Sequence, residues 1–206
     1  MMPTMELPEI ETERLLLRQF TPADLDEYTR IIFADPDVTR FLPRRDIPPR
    51  QRAERVLNYF GEHWLKNGYG DWAVTDRAHA GLIGHCGLNF IPEAGEVEVE
   101  YSLAKPYWGR GIATEAARAS VRYGFEALQM ERIIALADPQ NIASRRVMEK
   151  VGLVYQKEVF FFGMQLVYYQ IMRQQFRAGN LPYRIRPADP SDRSGVRVDK
   201  PGHSNS

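Results

Sequence analysis

The 206-residue sequence predicts an α+β fold in which one mixed sheet carries helices on its faces. The middle of the chain holds β-rich segments separated by short turns, which is typical of an antiparallel meander. The second half alternates helical and strand patterns, which adds helices to the same sheet. A hydrophobic content of 44% is enough for one core, so we expect one domain.

The first third of the chain predicts a strand and two helices. Residues 14–20 are a short apolar run suited to a strand, and Thr21 and Pro22 then occupy the N-cap and first-turn positions of a helix. A Pro- and Arg-rich passage at 35–51 interrupts the pattern. Residues 52–68 follow, with apolar side chains at helical spacing, and predict a second amphipathic helix.

The remainder of the chain predicts the meander and then alternating helices and strands. The meander comprises strands at 72–76, 81–90 and 96–103. The later elements are a helix at 112–128, a strand at 132–138, a helix at 141–152, and strands at 153–163 and 164–173.

The predicted domain covers residues 8–177, and residues 178–206 form a polar C-terminal tail. The tail is rich in Pro, Gly, Ser, Asp and Arg and poor in aliphatic side chains. Burial therefore offsets little of the entropy that ordering would cost. We expect this tail to be flexible, with docking on a partner subunit as the alternative, and assign it no chemistry.

Charge and cysteine content argue against several classes of protein. Lys and Arg total 27, as do Asp and Glu, so no net charge favours nucleic acid or an anionic membrane as partner. The single cysteine, Cys86, forms no internal disulfide, which fits a reducing compartment. No signal peptide is recognisable, and no stretch approaches the ~20 apolar residues of a membrane span. We expect a soluble cytoplasmic protein.

The most informative stretch joins a strand to a helix at residues 101–120. Gly109 and Gly111 relieve backbone crowding just before an Ala-rich helix, whose first turn offers free N–H groups and the positive end of its dipole. Such a turn can bind a phosphate closely, and Arg110 could add a charged contact. A plain tight turn explains the glycines equally well. The dinucleotide fingerprint fails, because Thr114 stands where its third glycine belongs.

This turn resembles that of the GNAT acetyltransferase superfamily. The stretch 108-WGRGIA-113 is similar to the family pattern Gln/Arg-x-x-Gly-x-Gly/Ala, with Trp108 in place of Gln or Arg, as in the branch that resembles the ribosomal-protein N-terminal acetyltransferases. The resemblance implies that backbone N–H groups here bind the pyrophosphate of acetyl-CoA. The cofactor-binding residues implied around the turn are Trp108, Gly109, Arg110, Gly111, Ile112, Ala113 and Thr114.

A second block, 141-NIASRRVMEKVGL-153, is similar to the family motif Asn-x-x-Ser-x-x-x-x-x-Lys-x-Gly-Phe. The resemblance implies that Asn141 contacts the pantetheine, that Ser144 lies near the thioester sulfur, and that Arg145 and Lys150 help to hold phosphates. An ordinary N-cap remains the alternative for Asn141. Many relatives carry, at the position of Met148, a Tyr that protonates the leaving sulfur. This chain lacks that Tyr, so Ser144 is predicted to take over its role.

The resemblance also implies a GNAT-like, mostly antiparallel sheet in which the strand at 96–103 splays from the strand at 132–138 to admit acetyl-CoA. The backbone of Tyr101, Ser102 and Leu103 would then pair with the pantetheine.

A general base is required because only a neutral amine attacks the thioester. Glu98 and Glu100 lie on one face of their strand, and Glu98 matches the position of the family's catalytic Glu. Both carboxylates are therefore catalytic candidates with Ser144. A solvated position or an ion pair with arginine remains the alternative.

The four histidines show no metal-ligand spacing, and we predict no metal site. They are His63, His79, His85 and His203, expected to be structural or exposed. The predicted function is transfer of an acetyl group from acetyl-CoA to an amine, either a protein N-terminus or a small molecule, by a monomer or homodimer. A non-catalytic acyl-CoA-binding regulatory module and an unrelated nucleotide-binding domain remain the alternatives.

Overall fold

The computed structural model describes residues 7–43, 46–180 and 182–187, and across these residues one nine-stranded sheet forms the centre of the molecule. The strands are β1 (Pro8–Thr12), β2 (Leu15–Arg18), β3 (Asp71–Asp76), β4 (Leu82–Ile91), β5 (Glu96–Leu103), β6 (Arg132–Ala137), β7 (Val154–Phe161), β8 (Met164–Met172) and β9 (Tyr183–Pro187). The α-helices are α1 (Leu25–Tyr28), α2 (Pro36–Thr39), α3 (Pro49–Asn67), α4 (Ile112–Glu126) and α5 (Ile142–Val151).

The sheet is mixed and mostly antiparallel, as predicted. Its order is β7-β8-β6-β5-β4-β3-β2-β1-β9. The meander β3-β4-β5 is antiparallel, and β5 and β6 run parallel, with their ladder at Glu98↔Ile134. The splaying of β5 from β6 stays a prediction.

Helices cover both faces of the sheet. Neighbouring residues of a strand point to opposite faces, so the contacts of two adjacent residues show what covers each face. On β4 the Cys86 thiol meets the Ser120 hydroxyl of α4, whereas the adjacent His85 meets the Tyr28 hydroxyl of α1. The α4 side has an apolar core that includes Val99 and Ile133, and the α1 and α3 side has a second apolar cluster.

The segment after β2 differs from the single helix that the sequence predicts. Thr21 does cap it: the Thr21 amide donates to the Asp24 carboxylate at 2.7 Å. A 3₁₀ turn at Pro22–Asp24, the short α1 and a π turn at Thr29–Phe33 then follow one another. Part of the Pro- and Arg-rich passage also forms α2, and residues 44–45 lie outside the described residues.

The two strands at one end of the sheet were not predicted. β9 lies inside the predicted polar tail and pairs with β1 from Pro8↔Pro187 to Thr12↔Tyr183, so this part of the tail is a strand of the sheet. The division at residues 177 and 178 stays a prediction. Arg186 also forms ion pairs with Glu9 and Glu11. Residues 188–206 lie outside the described part of the chain. Within the described part, no helix is both long enough and apolar enough to cross a membrane.

Candidate active site

The glycine-rich turn has positive φ angles, which residues with a Cβ atom rarely adopt. Gly109 has φ +71° and Gly111, the N-cap residue of α4, has φ +76°. An L residue in this left-handed region is strained, so glycine is favoured at both positions. Within the described ranges, no side chain forms a capping hydrogen bond at the start of α4. The first turn of α4 therefore keeps the polar N-terminus expected of an anion site.

Trp108 and Arg110 hold this turn in place. The Trp108 indole Nε1 donates to the Leu103 carbonyl at the end of β5 at 2.7 Å. Trp108, which stands where the family pattern has Gln or Arg, therefore links the turn to β5. The Arg110 guanidinium lies over the Tyr107 ring, 5.6 Å from its centroid. The Arg110 carbonyl accepts a hydrogen bond from Arg14 Nη1 at 2.9 Å.

Arg14 is a residue of this site that sequence reasoning missed. Its guanidinium forms an ion pair with Glu115 at 2.6 Å, and the Thr12 hydroxyl donates to the same carboxylate at 2.6 Å. These contacts tie the β1–β2 turn to the first turn of α4. The positions lie about 100 residues apart, at a sequence separation of 101 for Arg14 and Glu115, so no local pattern could indicate the contact.

A cleft of about 430 Å³ opens beside the first turn of α4. It is lined by Glu13, Arg14, Gly111, Thr114, Glu115, Arg118 and Lys150. Three of these side chains are cationic and two, those of Glu13 and Glu115, are carboxylates. The Arg118 Nε is buried and has no hydrogen-bond partner among the described residues. A buried polar group without a partner costs free energy, so an acceptor such as a phosphate oxygen would satisfy it. Of these cations only Lys150 was a candidate from the sequence.

The block at α5 forms the predicted cap and brings β5 to the helix. Asn141 Oδ1 accepts a hydrogen bond from the Ser144 amide at 3.1 Å, which confirms the N-cap. The Tyr101 hydroxyl lies 3.0 Å from Ser144 Oγ and donates to the Ser144 carbonyl at 3.0 Å. The Arg145 guanidinium points elsewhere, donating to the Tyr169 hydroxyl and the Pro139 carbonyl.

Three carboxyl groups gather on the opposite face of the sheet. Glu98 is only 7% exposed and Asp71 only 2%, so neither has the solvated position that was the alternative reading of Glu98. Asp71 and Glu100 both pair with Gly87, which lies between them on β4, and the missing side chain at Gly87 leaves room for the two carboxyl groups to meet. Asp71 was not a candidate from the sequence, because this register is a tertiary feature.

Burial is the main perturbation of these carboxyl groups. It raises the pKa of Glu98 well above its usual value, and the charge of Glu100 raises it further, although the Leu136 backbone amide donates to Glu98 and opposes the shift. Burial also raises the pKa of Asp71, together with the charge of Glu100. Burial raises the pKa of Glu100, and a hydrogen bond from Asp71 counteracts this. The hydrogen bond between the two groups raises the pKa of Asp71 and lowers that of Glu100, so Asp71 is the donor of this pair.

The described histidines have structural contacts. Burial lowers the pKa of His85 to about 3, and its Nδ1 lies 2.8 Å from the Tyr28 hydroxyl. His63 Nδ1 lies 2.8 Å from the Tyr69 carbonyl, and its Nε2 accepts from the Phe90 amide at 3.1 Å. His79 is exposed beside Asp76, and His203 lies outside the described residues. In the described ranges no group of three or more His, Cys, Asp or Glu side chains could hold a metal ion.

Comparisons with known proteins agree with this architecture. A family model for an acetyltransferase (GNAT) domain matches residues 14–154. The uncharacterized N-acetyltransferase YnaD of Bacillus subtilis (strain 168) is 34% identical over 157 residues, which cover 74% of this chain and 85% of YnaD.

Two solved structures are similar to the fold. An acetyltransferase from Agrobacterium tumefaciens str. C58 is 26% identical, covers 79% of this chain and 93% of its own, and has a TM-score of 0.70. RimJ of Mycobacterium smegmatis, solved in complex with CoA-disulfide, has a TM-score of 0.69 over 81% of this chain and 88% of its own. RimJ is 19% identical, so it supports the fold alone. With the family model matched over most of its length, the chain belongs to the GNAT family of acetyltransferases.

Proposed function

We propose that this protein transfers an acetyl group from acetyl-CoA to a primary amine by direct attack within a ternary complex. The amine is a protein N-terminal α-amine or the amine of a small molecule. The observation that carries the proposal is the cleft at the first turn of α4, where Gly111, Arg118 and Lys150 lie together beside the start of the helix. The CoA-disulfide bound to RimJ is of the same chemical class as the proposed donor.

The phosphates of acetyl-CoA would bind in this cleft. The backbone amides from Gly109 to Ala113 would receive the pyrophosphate, because the helix dipole and the unpaired N–H groups both favour an anion there. Arg118 and Lys150 line the same cleft and would add charge-assisted contacts, and the Arg118 Nε has no hydrogen-bond partner to give up in the part of the chain that the structure describes.

The pantetheine would extend along β5 toward α5. Alternate residues of a strand direct their backbone groups to opposite neighbours. The Ala104 amide donates to Ile83 of β4, so the amides of Leu103 and Tyr101 are directed toward β6. They are available to the pantetheine and to the thioester carbonyl oxygen, whose developing charge a backbone amide stabilises. Asn141 lies at the start of α5 on the same side.

Glu98 is the proposed general base. Its raised pKa brings it closer to that of an ammonium group, which makes it a better proton acceptor than a solvated carboxylate. The ammonium first gives one proton to solvent. The nitrogen of the neutral amine then bonds to the acetyl carbon, a second proton passes from this nitrogen to Glu98, and the carbon–sulfur bond breaks. The sulfur leaves as a thiolate beside Ser144. Glu98 and Ser144 lie on opposite faces of the sheet, so the thioester would have to reach the amine between β5 and β6.

A thiol-release assay tests this function. Purified protein with acetyl-CoA and a panel of amines and N-terminal peptides should release thiol, and Glu98→Gln should lower kcat about 100-fold or more, within the usual range for general-base catalysis. The Gln keeps the shape and so should leave acetyl-CoA affinity unchanged. Tighter binding of ATP than of coenzyme A, or full activity of the Glu98→Gln variant, would contradict the proposal.

One observation favours a second candidate, a non-catalytic acyl-CoA-binding module. Met148, where many relatives carry a Tyr acid, is 1% exposed and packs in the core, so this position supplies no proton. Such a module would bind coenzyme A with the same affinity and release no thiol with any amine. The same assay therefore separates the two.

A further inference from the structure

A pair of hydroxyl groups joins β5 to α5 behind the proposed thioester position. The Tyr101 side chain projects from β5 to the α4 and α5 side, where its ring packs against the apolar core. Its hydroxyl lies 3.0 Å from Ser144 Oγ and 3.0 Å from the Ser144 carbonyl oxygen. Tyr101 and Ser144 are thus joined twice by one phenolic oxygen, although they lie 43 positions apart in the sequence.

The protons of this pair have two arrangements. In one, the Tyr101 hydroxyl donates to the Ser144 carbonyl, and the Ser144 hydroxyl donates back to Tyr101. In the other, Tyr101 donates to Ser144 Oγ, and the Ser144 proton is free to point at another acceptor. Negative charge on a nearby sulfur favours the second arrangement, because a hydrogen bond to an ionised group is stronger than one between neutral groups.

We propose that Tyr101 is a positioning residue for Ser144, holding its hydroxyl so that Ser144 donates to the leaving thiolate while Tyr101 donates to Ser144. This role rests on the proposed function and deepens it. No net proton passes through the pair: the carbon–nitrogen bond forms, the carbon–sulfur bond breaks, and the thiolate is stabilised until solvent protonates it. The amine's proton is on Glu98.

Burial supports a donor role for Tyr101. It raises the pKa of the phenol well above the usual value, although the hydrogen bond with Ser144 acts in the other direction. Tyr101 therefore keeps its proton throughout the neutral pH range. Met148, further along α5, offers no hydroxyl, so the partner of Ser144 comes from the strand rather than from the helix.

A double-mutant cycle with Tyr101→Phe and Ser144→Ala tests the inference. Tyr101→Phe removes only the hydroxyl, and we expect kcat to fall about 3- to 10-fold, the effect of one hydrogen bond, with acetyl-CoA affinity unchanged. Adding Tyr101→Phe to Ser144→Ala should lower kcat no further, because Tyr101 acts through Ser144. Tyr169→Phe is the matched control: it removes a buried hydroxyl that also contacts α5, at Arg145 and Glu149, and should leave kcat unchanged.

The outcomes separate the inference from the proposed function. An active wild type with an unchanged Tyr101→Phe kcat, or with losses that multiply in the double variant, overturns the inference alone. So does a fall in acetyl-CoA affinity that matches the fall in kcat, because that result indicates a packing role. A wild type that binds coenzyme A but releases no thiol with any amine overturns the proposed function, and the inference with it.

Discussion

The substitution Gly111→Ala tests the proposed phosphate site at the start of α4. Its effect on the stability of the protein can be separated from its effect on coenzyme A binding. A Cβ at Gly111 would lie 3.6 Å from Arg14 Nη2, which is an ordinary contact, so alanine fits the protein itself. Its φ of +76° would still strain an L residue by about 1–2 kcal/mol. For a chain of this size that cost lowers Tm by about 2–8 °C.

The binding effect of Gly111→Ala should be separate and larger. The added methyl group would stand where a phosphate must approach the first-turn amides of α4. Losing one charge-assisted hydrogen bond costs about 1.5–3 kcal/mol, which corresponds to about 10- to 150-fold weaker coenzyme A binding. Isothermal titration calorimetry with coenzyme A, at a temperature where circular dichroism shows the variant folded, measures this ratio.

Gly68 provides the matched control for this substitution. It caps α3 at φ +74°, almost the same backbone conformation, and a Cβ there meets no atom within 4 Å. Gly68→Ala should therefore lower Tm by a similar amount and leave coenzyme A affinity at the wild-type value. Equal affinity in the two variants would refute the reasoning, since the turn at Gly111 would then hold no phosphate.

Two further predictions concern buried polar groups. Tyr28→Phe should lower the free energy of unfolding by about 1–3 kcal/mol, because His85 Nδ1 loses its buried 2.8 Å partner; urea unfolding measures the change, and an unchanged midpoint would contradict it. The raised pKa of Asp71 means that the folded state binds its proton more tightly than the unfolded state, so its stabilising effect is full below about pH 4 and is lost as pH rises. In the Asp71→Asn variant the free energy of unfolding should therefore decline less steeply above about pH 4 than in the wild type. Urea unfolding of both proteins from about pH 4 to 8 measures this, and an equal decline in the two would show the prediction to be wrong.

Most elements were predictable because their causes are local. The meander, α3, α4, α5 and the hairpin of β7 and β8 each show a repeating apolar pattern bounded by turn residues. The strands β1 and β9 at one end of the sheet show no such pattern. Their sequences, PEIET and YRIRP, are short and polar. β1 pairs with β2 on one side and with β9, from the far end of the chain, on the other, so tertiary pairing makes both of them strands.

The site divides in the same way. The glycine turn and the Asn141 cap follow from residues that are neighbours in the chain, so the sequence alone determined where the glycine turn and the helix cap lie. Arg14, Asp71 and the hydroxyl of Tyr101 entered the site only through strand register and helix packing. Their partners lie tens of residues away, and a one-residue shift in strand register would have turned the side chains of Asp71 and Tyr101 to the opposite face of the sheet. The sequence therefore determines the turn and the helix cap, which depend on neighbouring residues, whereas the tertiary structure decided the pairing of distant polar groups.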